Sequence, residues 1–215
     1  MVNIERALRV PLAEGGLVKT IIGALLNLIP IVSFLSSGYL LELMGNAAKE
    51  KHEMPAWENW GAKFINGFLV LIIALIYMLI PLIIISACGG LEAYCQGGGW
   101  GLLSGAFALA TIVAMIIGFF IPMALAHFAY SGSFSAAFSL GTIFSYIGKV
   151  IGAYVLAYIL IIALAIAMMI VSIIPILGFI ICIFAGFYIG CVGSILFGDA
   201  YRQARAADAG AGTGA

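Results

Sequence analysis

Long uninterrupted apolar stretches dominate the chain. Four of them run from Phe64 to Ala87, Gly101 to Ala126, Ile147 to Ser172 and Ile176 to Phe197. Each is apolar almost all round, and Lys149, near one end, is their one charged residue. A spanning helix needs about 20 predominantly apolar residues at about 1.5 Å rise each. The pattern therefore predicts four transmembrane helices. No segment shows the roughly ten-residue alternation of a membrane β-barrel strand, so the fold class is all-α, a polytopic transmembrane helix bundle.

A fifth stretch, Leu12 to Ala47, has Pro30 in its middle. It reads either as one kinked helix, giving five spans, or as two helices joined at Pro30, giving six. Basic residues concentrate on the cytoplasmic side of membrane proteins. With five spans, Arg6, Arg9 and Lys19 face one side while Lys49, Lys51, Lys63, Lys149, Arg202 and Arg205 face the other. With six, all of them share one side. The six-span arrangement with both termini cytoplasmic is the preferred one. Its weak point is length: Leu12 to Ile29 makes only about 27 Å of helix and carries Glu14 and Lys19, which must sit near the headgroups, the lysine snorkelling. Asn27-Leu-Ile-Pro-Ile-Val-Ser-Phe34 also resembles Ser172-Ile-Ile-Pro-Ile-Leu-Gly-Phe179. Pro175, between two long spans, must lie at or near a turn, and Pro30 by analogy also marks one. Pro suits the first turn of an outgoing helix. Pro81 and Pro122 lie inside spans and should kink them.

Composition fixes the class. Hydrophobic residues make up 65% of the 215, charged residues 8%, and the mean hydropathy is +1.23. Soluble domains are about 45–50% apolar and about 25% charged. A soluble globule and a disordered chain are both excluded. Nine Lys+Arg balance nine Asp+Glu, so there is no basic field for nucleic acid. The partner that remains certain to composition is the lipid bilayer.

The polar segments read as follows. Residues 1–11 form an amphipathic interfacial segment ended by Pro11 rather than a signal peptide. Residues 12–198 form the transmembrane domain, and 199–215 a cytoplasmic flexible tail, Gly/Ala-rich from Ala206. The Gly45–Lys63 loop carries Glu50, His52, Glu53 and Glu58, whose spacing matches no metal motif. It also carries Trp57 and Trp60, which with Trp100 are expected to be interfacial anchors. Cys88 and Cys95 could close a short disulfide loop if their compartment is oxidising; two free thiols are the alternative. Gly97-Gly-Gly99 reads as a hinge. Ser131 to Tyr146 has helical amphipathicity, with Phe134, Ala137, Phe138 and Gly141 on one face, and reads as an interfacial helix.

Small residues recur every four positions as Ala106, Ala110, Ala114 and Gly118, and as Gly186, Gly190, Ser194 and Gly198, with a shorter pair at Gly148 and Gly152. Such stripes let helix backbones approach closely where no hydrophobic effect drives association. They serve packing within the chain or docking of other membrane subunits or a second copy. Intramembrane charge, which marks ion paths, relays and substrate sites, is nearly absent. Glu42 is the one acid clearly inside an expected span, and His127 stands at a span's end. No protease dyad, haem-clamping histidine pair or cofactor motif is present, so neither a catalytic residue nor a cofactor is expected.

The run Leu26-Asn-Leu-Ile-Pro-Ile-Val-Ser-Phe-Leu-Ser-Ser-Gly-Tyr39 is followed by Met54-Pro-Ala-Trp-Glu-Asn-Trp-Gly61 and Phe64-Ile-Asn-Gly67. Later come Ala126-His-Phe-Ala-Tyr130, Ser133-Phe134, Ala136-Ala-Phe138 and Gly198-Asp-Ala-Tyr201. Over nearly its whole length the chain resembles the multi-pass membrane family catalogued as domain of unknown function 4013. The resemblance implies an archaeal or bacterial plasma membrane and transfers no site residue. The function expected is a non-enzymatic scaffold or accessory subunit of a membrane assembly; transport or handling of an apolar or lipid-like substrate is the alternative.

Overall fold

A computed structural model describes residues 3–13, 15–51, 53–87, 105–174 and 177–212. Cys88, Cys95, Trp100 and Pro175 lie outside the described residues, as do Glu14, His52 and the Gly97–Gly99 run. Among the described residues all regular structure is helical: α1 (Ile4–Arg9), α2 (Gly16–Leu26), α3 (Ser33–Ala48), α4 (Trp60–Ala87), α5 (Gly105–Ser131), α6 (Leu140–Lys149), α7 (Ile151–Val171) and α8 (Leu177–Gly212). Short 3-10 turns cover Val10–Leu12 and Phe134–Phe138. Among the described residues four helices are long and apolar enough to cross a membrane: Trp60–Ala87, Phe107–Ser131 of α5, Ile151–Val171 and Ile180–Gly210 of α8.

The Leu12–Ala47 stretch forms two helices. α2 ends at Leu26, a turn occupies residues 27–32 with Pro30 inside it, and α3 begins at Ser33. The Ser36 hydroxyl donates to the Gly23 carbonyl at 2.9 Å, which sets the two helices antiparallel across the turn. With 11 and 16 residues, they measure about 16 and 24 Å, each shorter than a hydrocarbon core of about 30 Å.

The chain divides into two compact units: Met1–Val70 with Met123–Ala215, and Leu71–Pro122. The smaller consists of the second part of α4 and the first part of α5, with Pro81 and Pro122 accommodated inside these helices. In the larger unit α8 is the hub, packing against α1, α2, α3, α6 and α7. Its contact with α3 is close because glycine permits it. A Cβ on Gly198 would meet the Met44 carbonyl, and Gly190 lies against Leu40. The other side of α3 meets α4 at backbone range. A Cβ on Gly38 would fall on the Lys63 carbonyl, and one on Gly67 on the Phe34 carbonyl. Phe34 adds edge-to-face contacts with Phe64 and Phe68 at 5.6 and 5.8 Å.

Three segments differ from the sequence expectation. Residues 3–11 are tied into the bundle: Ala7 and Pro11 are buried, and Tyr188 of α8 donates to the Leu8 carbonyl at 2.9 Å. Beyond residue 199 α8 continues to Gly212 instead of becoming a flexible tail, with Asp199, Ala200, Tyr201 and Ala204 buried. The amphipathic helix begins at Leu140, after the 3-10 turn. Its buried face is Ile143 and Ile147, while Gly141 is exposed, because Ser139 leaves helical geometry at ψ 68° and resets the register.

These contacts generate a contrast between two helical glycines. Gly38→Ala gains about 1 kcal/mol of helix propensity but sets a methyl against backbone that cannot move aside, an overpacking cost of about 1–3 kcal/mol or more. It should lower the thermal unfolding midpoint in detergent. Gly186→Ala, which points into open space, should leave the midpoint unchanged or raise it.

Candidate functional site

Side-chain contacts gather the charged residues at one end of the larger unit. Lys19 donates from Nζ to the Met54 carbonyl at 2.7 Å, and Tyr39 donates to the Pro55 carbonyl at 3.0 Å. Trp57 stacks on Tyr39 with ring centroids 4.2 Å apart and donates its indole N–H to the Lys19 carbonyl at 3.1 Å. The segment after α3 is thereby clamped against the start of α2 and the middle of α3. Arg202 pairs with Glu50 at 2.7 Å, and Lys149 pairs with Asp208.

Among the described residues the most deeply buried charge is Asp199, which has no exposed side-chain surface. A carboxylate taken out of water costs several kcal/mol unless it is paired and hydrogen-bonded. Arg6 of α1 supplies the pair by donating Nη2 to Oδ2. Oδ1 has no hydrogen-bond partner, its nearest cation being Arg202 at 3.9 Å. The attachment of α1 to α8 is thus electrostatic as well as apolar. Arg6→Ala should lose about 3–5 kcal/mol, the cost of leaving a buried carboxylate unpaired. Arg6→Met with Asp199→Leu should recover most of it, as read by unfolding midpoints in detergent; equal losses in single and double variants would show that the pair is not what holds α1.

Beside this network a cleft of about 560 Å³ opens between α3, the start of α4 and the end of α5. Its polar lining is Glu42, Asn46, Lys49, Asn59, Lys63 and Asn66. Lys63 is 3% exposed and stands in the first turn of α4, where the positive end of the helix dipole disfavours a cation. Glu42 compensates at 2.7 Å and the Glu58 carbonyl accepts at 2.8 Å. Two of the three ammonium donors are so engaged, and the Tyr39 ring lies 5.9 Å away. Such a cleft falls within the usual size of small-molecule pockets, about 300–1,000 Å³. It offers one half-exposed carboxylate, a locked lysine and amide side chains, a set suited to binding polar groups.

An aromatic cluster adjoins it. His127 Nδ1 lies 2.8 Å from the Tyr201 hydroxyl, and Tyr130 and Tyr146 each have ring centroids 5.5 Å from that of Tyr201. The cluster joins the end of α5 to α6 and α8.

The residues singled out in the sequence divide among these settings. Gly190, Ser194 and Gly198 face the bundle interior at α3 and its surroundings, whereas Gly186 faces outward. Ala110 is buried and Ala114 is half-buried in the smaller unit; the side chain of Ala106 lies outside the described residues. Gly148 and Gly152 are exposed. Trp60 is exposed, while the N–H of Trp57 is satisfied by backbone. Asp199 and the burial of Lys63 were missed. The available signal was an isolated acid abutting the run Ile195-Leu-Phe197, where the helix had no reason to stop.

The family model described as protein of unknown function (DUF4013) matches residues 21–177. No curated protein and no solved structure matches the chain. The matched region takes in the α2–α3 hairpin, the Pro55–Trp60 clamp, the Glu42–Lys63 cleft and His127. A multi-helix chain with four helices fit to cross a bilayer, matched over well more than half its length, belongs to the DUF4013 family of proteins of unknown function.

Proposed function

We propose that the protein is a non-enzymatic scaffold or accessory subunit of an assembly in an archaeal or bacterial plasma membrane. The observation that carries this reading is how little of the spanning helices the chain itself covers. The most apolar windows of Ile151–Val171 and Trp60–Ala87 have 11% and 17% of their residues buried inside the chain. Their remaining surface contacts lipid or another helix, and helix association in lipid relies on such laterally available faces. Gly148, Gly152 and Gly186, with open space at each Cβ, would let a partner backbone come close. The same reading keeps both termini cytoplasmic and takes α2 and α3 as the first two of six membrane-embedded helices. The clamp joining Lys19 to Met54 and Tyr39 to Pro55 supports it, because it brings the segment after α3 back to the start of α2.

A second reading, handling of an apolar or lipid-like substrate, is favoured by the cleft beside Glu42 and Lys63, whose polar lining could take a headgroup. Native mass spectrometry of the protein drawn from its own membrane in lipid nanodiscs separates the two. The accessory reading expects a stoichiometric protein partner or a second copy. A monodisperse chain carrying only lipid would sink it and favour the second.

A further inference from the structure

A second concavity, about 420 Å³, lies where the ends of α3 and α5 meet the later turns of α8. Its charged lining is Lys49, Glu50, Arg202 and Arg205, and its floor is Tyr130. The Arg205 guanidinium sits 4.0 Å from the centre of the Tyr130 ring, and the Lys49 ammonium 5.5 Å from the same ring. Two cations therefore lie close to one aromatic ring. Neither has a carboxylate within ion-pair distance among the described residues, whereas Arg6, Arg9, Lys63, Lys149 and Arg202 each do. Arg202 shares its charge with Glu50, and its buried Nε–H has no acceptor. The remaining acids nearby are engaged elsewhere, Asp199 by Arg6 and Asp208 by Lys149.

We propose that this pocket binds the phosphate of an anionic membrane lipid. A phosphate oxygen set takes bidentate and point-charge donors together, which is what an arginine fork and a lysine offer side by side. Holding the arginine over a ring by cation–π attraction leaves its N–H donors free for an acceptor. The carbonyl end of α3 beside Lys49 opposes an anion, so Lys49 alone would do little more than offset it; Arg205 supplies the surplus. The source is lipid because of depth. Tyr130 is the next-to-last residue of the Phe107–Ser131 span, and Arg202 and Arg205 lie near the end of the Ile180–Gly210 span. That is the headgroup level, where basic pockets between helices hold anionic lipids. The inference rests on the transmembrane reading of α5 and α8 and is independent of whether the protein is an accessory subunit.

Native mass spectrometry of the full chain in mild detergent, titrated with phosphatidylglycerol or phosphatidylcholine, tests it. Wild type should bind its first phosphatidylglycerol on the order of tenfold more tightly than phosphatidylcholine. Lys49→Gln with Arg205→Gln should abolish that preference at an unchanged unfolding midpoint. Arg9→Gln, which removes an exposed arginine elsewhere, should keep it. Equal binding of the two lipids by wild type overturns the proposal, as does a preference that survives the double substitution. Inorganic phosphate that binds the wild type, with no lipid preference, would mark a free-anion site and overturn the lipid assignment.

Discussion

Helix α3 is held between two neighbours at backbone-to-backbone distance, and the larger unit is arranged around that contact. Gly38 and Gly67 close it onto α4, while Gly198 closes it onto α8. In a bilayer, lipid tails solvate leucine as well as another leucine does, so apolar area alone gives helices little reason to meet. Close approach supplies the missing term by multiplying dispersion contacts. The cost is that these positions tolerate no side chain. α3 itself is polar enough, with Ser36, Glu42 and Asn46, that its place is among other helices and not in lipid.

The charged end follows from the same packing. With α3 and α8 running alongside, the ends of both, the hairpin clamp and α1 come together. Several of the described charges lie there and find one another. The arrangement is economical in water-excluded charge. Asp199 is wholly buried and Lys63 nearly so, and each has its counterion from a different helix. Buried pairs of this kind add little net stability over an apolar substitute, but a broken one is expensive. Their effect is to fix which helices meet and in what register. α1 is set against α8, and the start of α4 against α3.

The polar end also concentrates the binding capacity of the chain. In the cleft at Glu42 and Lys63 the carboxylate and the ammonium pair with each other, leaving Lys49 and the amide side chains to meet polar groups. The neighbouring concavity at Tyr130 retains uncompensated cations, so it suits an anion. Lys49 lines both.

Much of this was legible in the residues. Continuous apolar runs long enough for a bilayer specify helices there, because hydrocarbon leaves the backbone no other way to satisfy its polar groups. Pro30 breaks Leu12–Ala47 into two helices, since its ring cannot continue a helix from the preceding turn. The small-residue series at Gly190, Ser194 and Gly198 was visible as a packing stripe. Its partner, α3, was not, because spacing on one helix carries no information about which other helix lies opposite. For the same reason Asp199 looked like the start of a solvated tail: in sequence it merely precedes Tyr201 and Arg202, and its counterion is 193 positions away. By itself the sequence determined the solvent of this protein, its helical class and the positions of its breaks, all of which follow from local composition and backbone chemistry. The tertiary structure alone decided which charges are buried, which cations stay unpaired and where the clefts open, because those depend on distances between residues far apart in the chain.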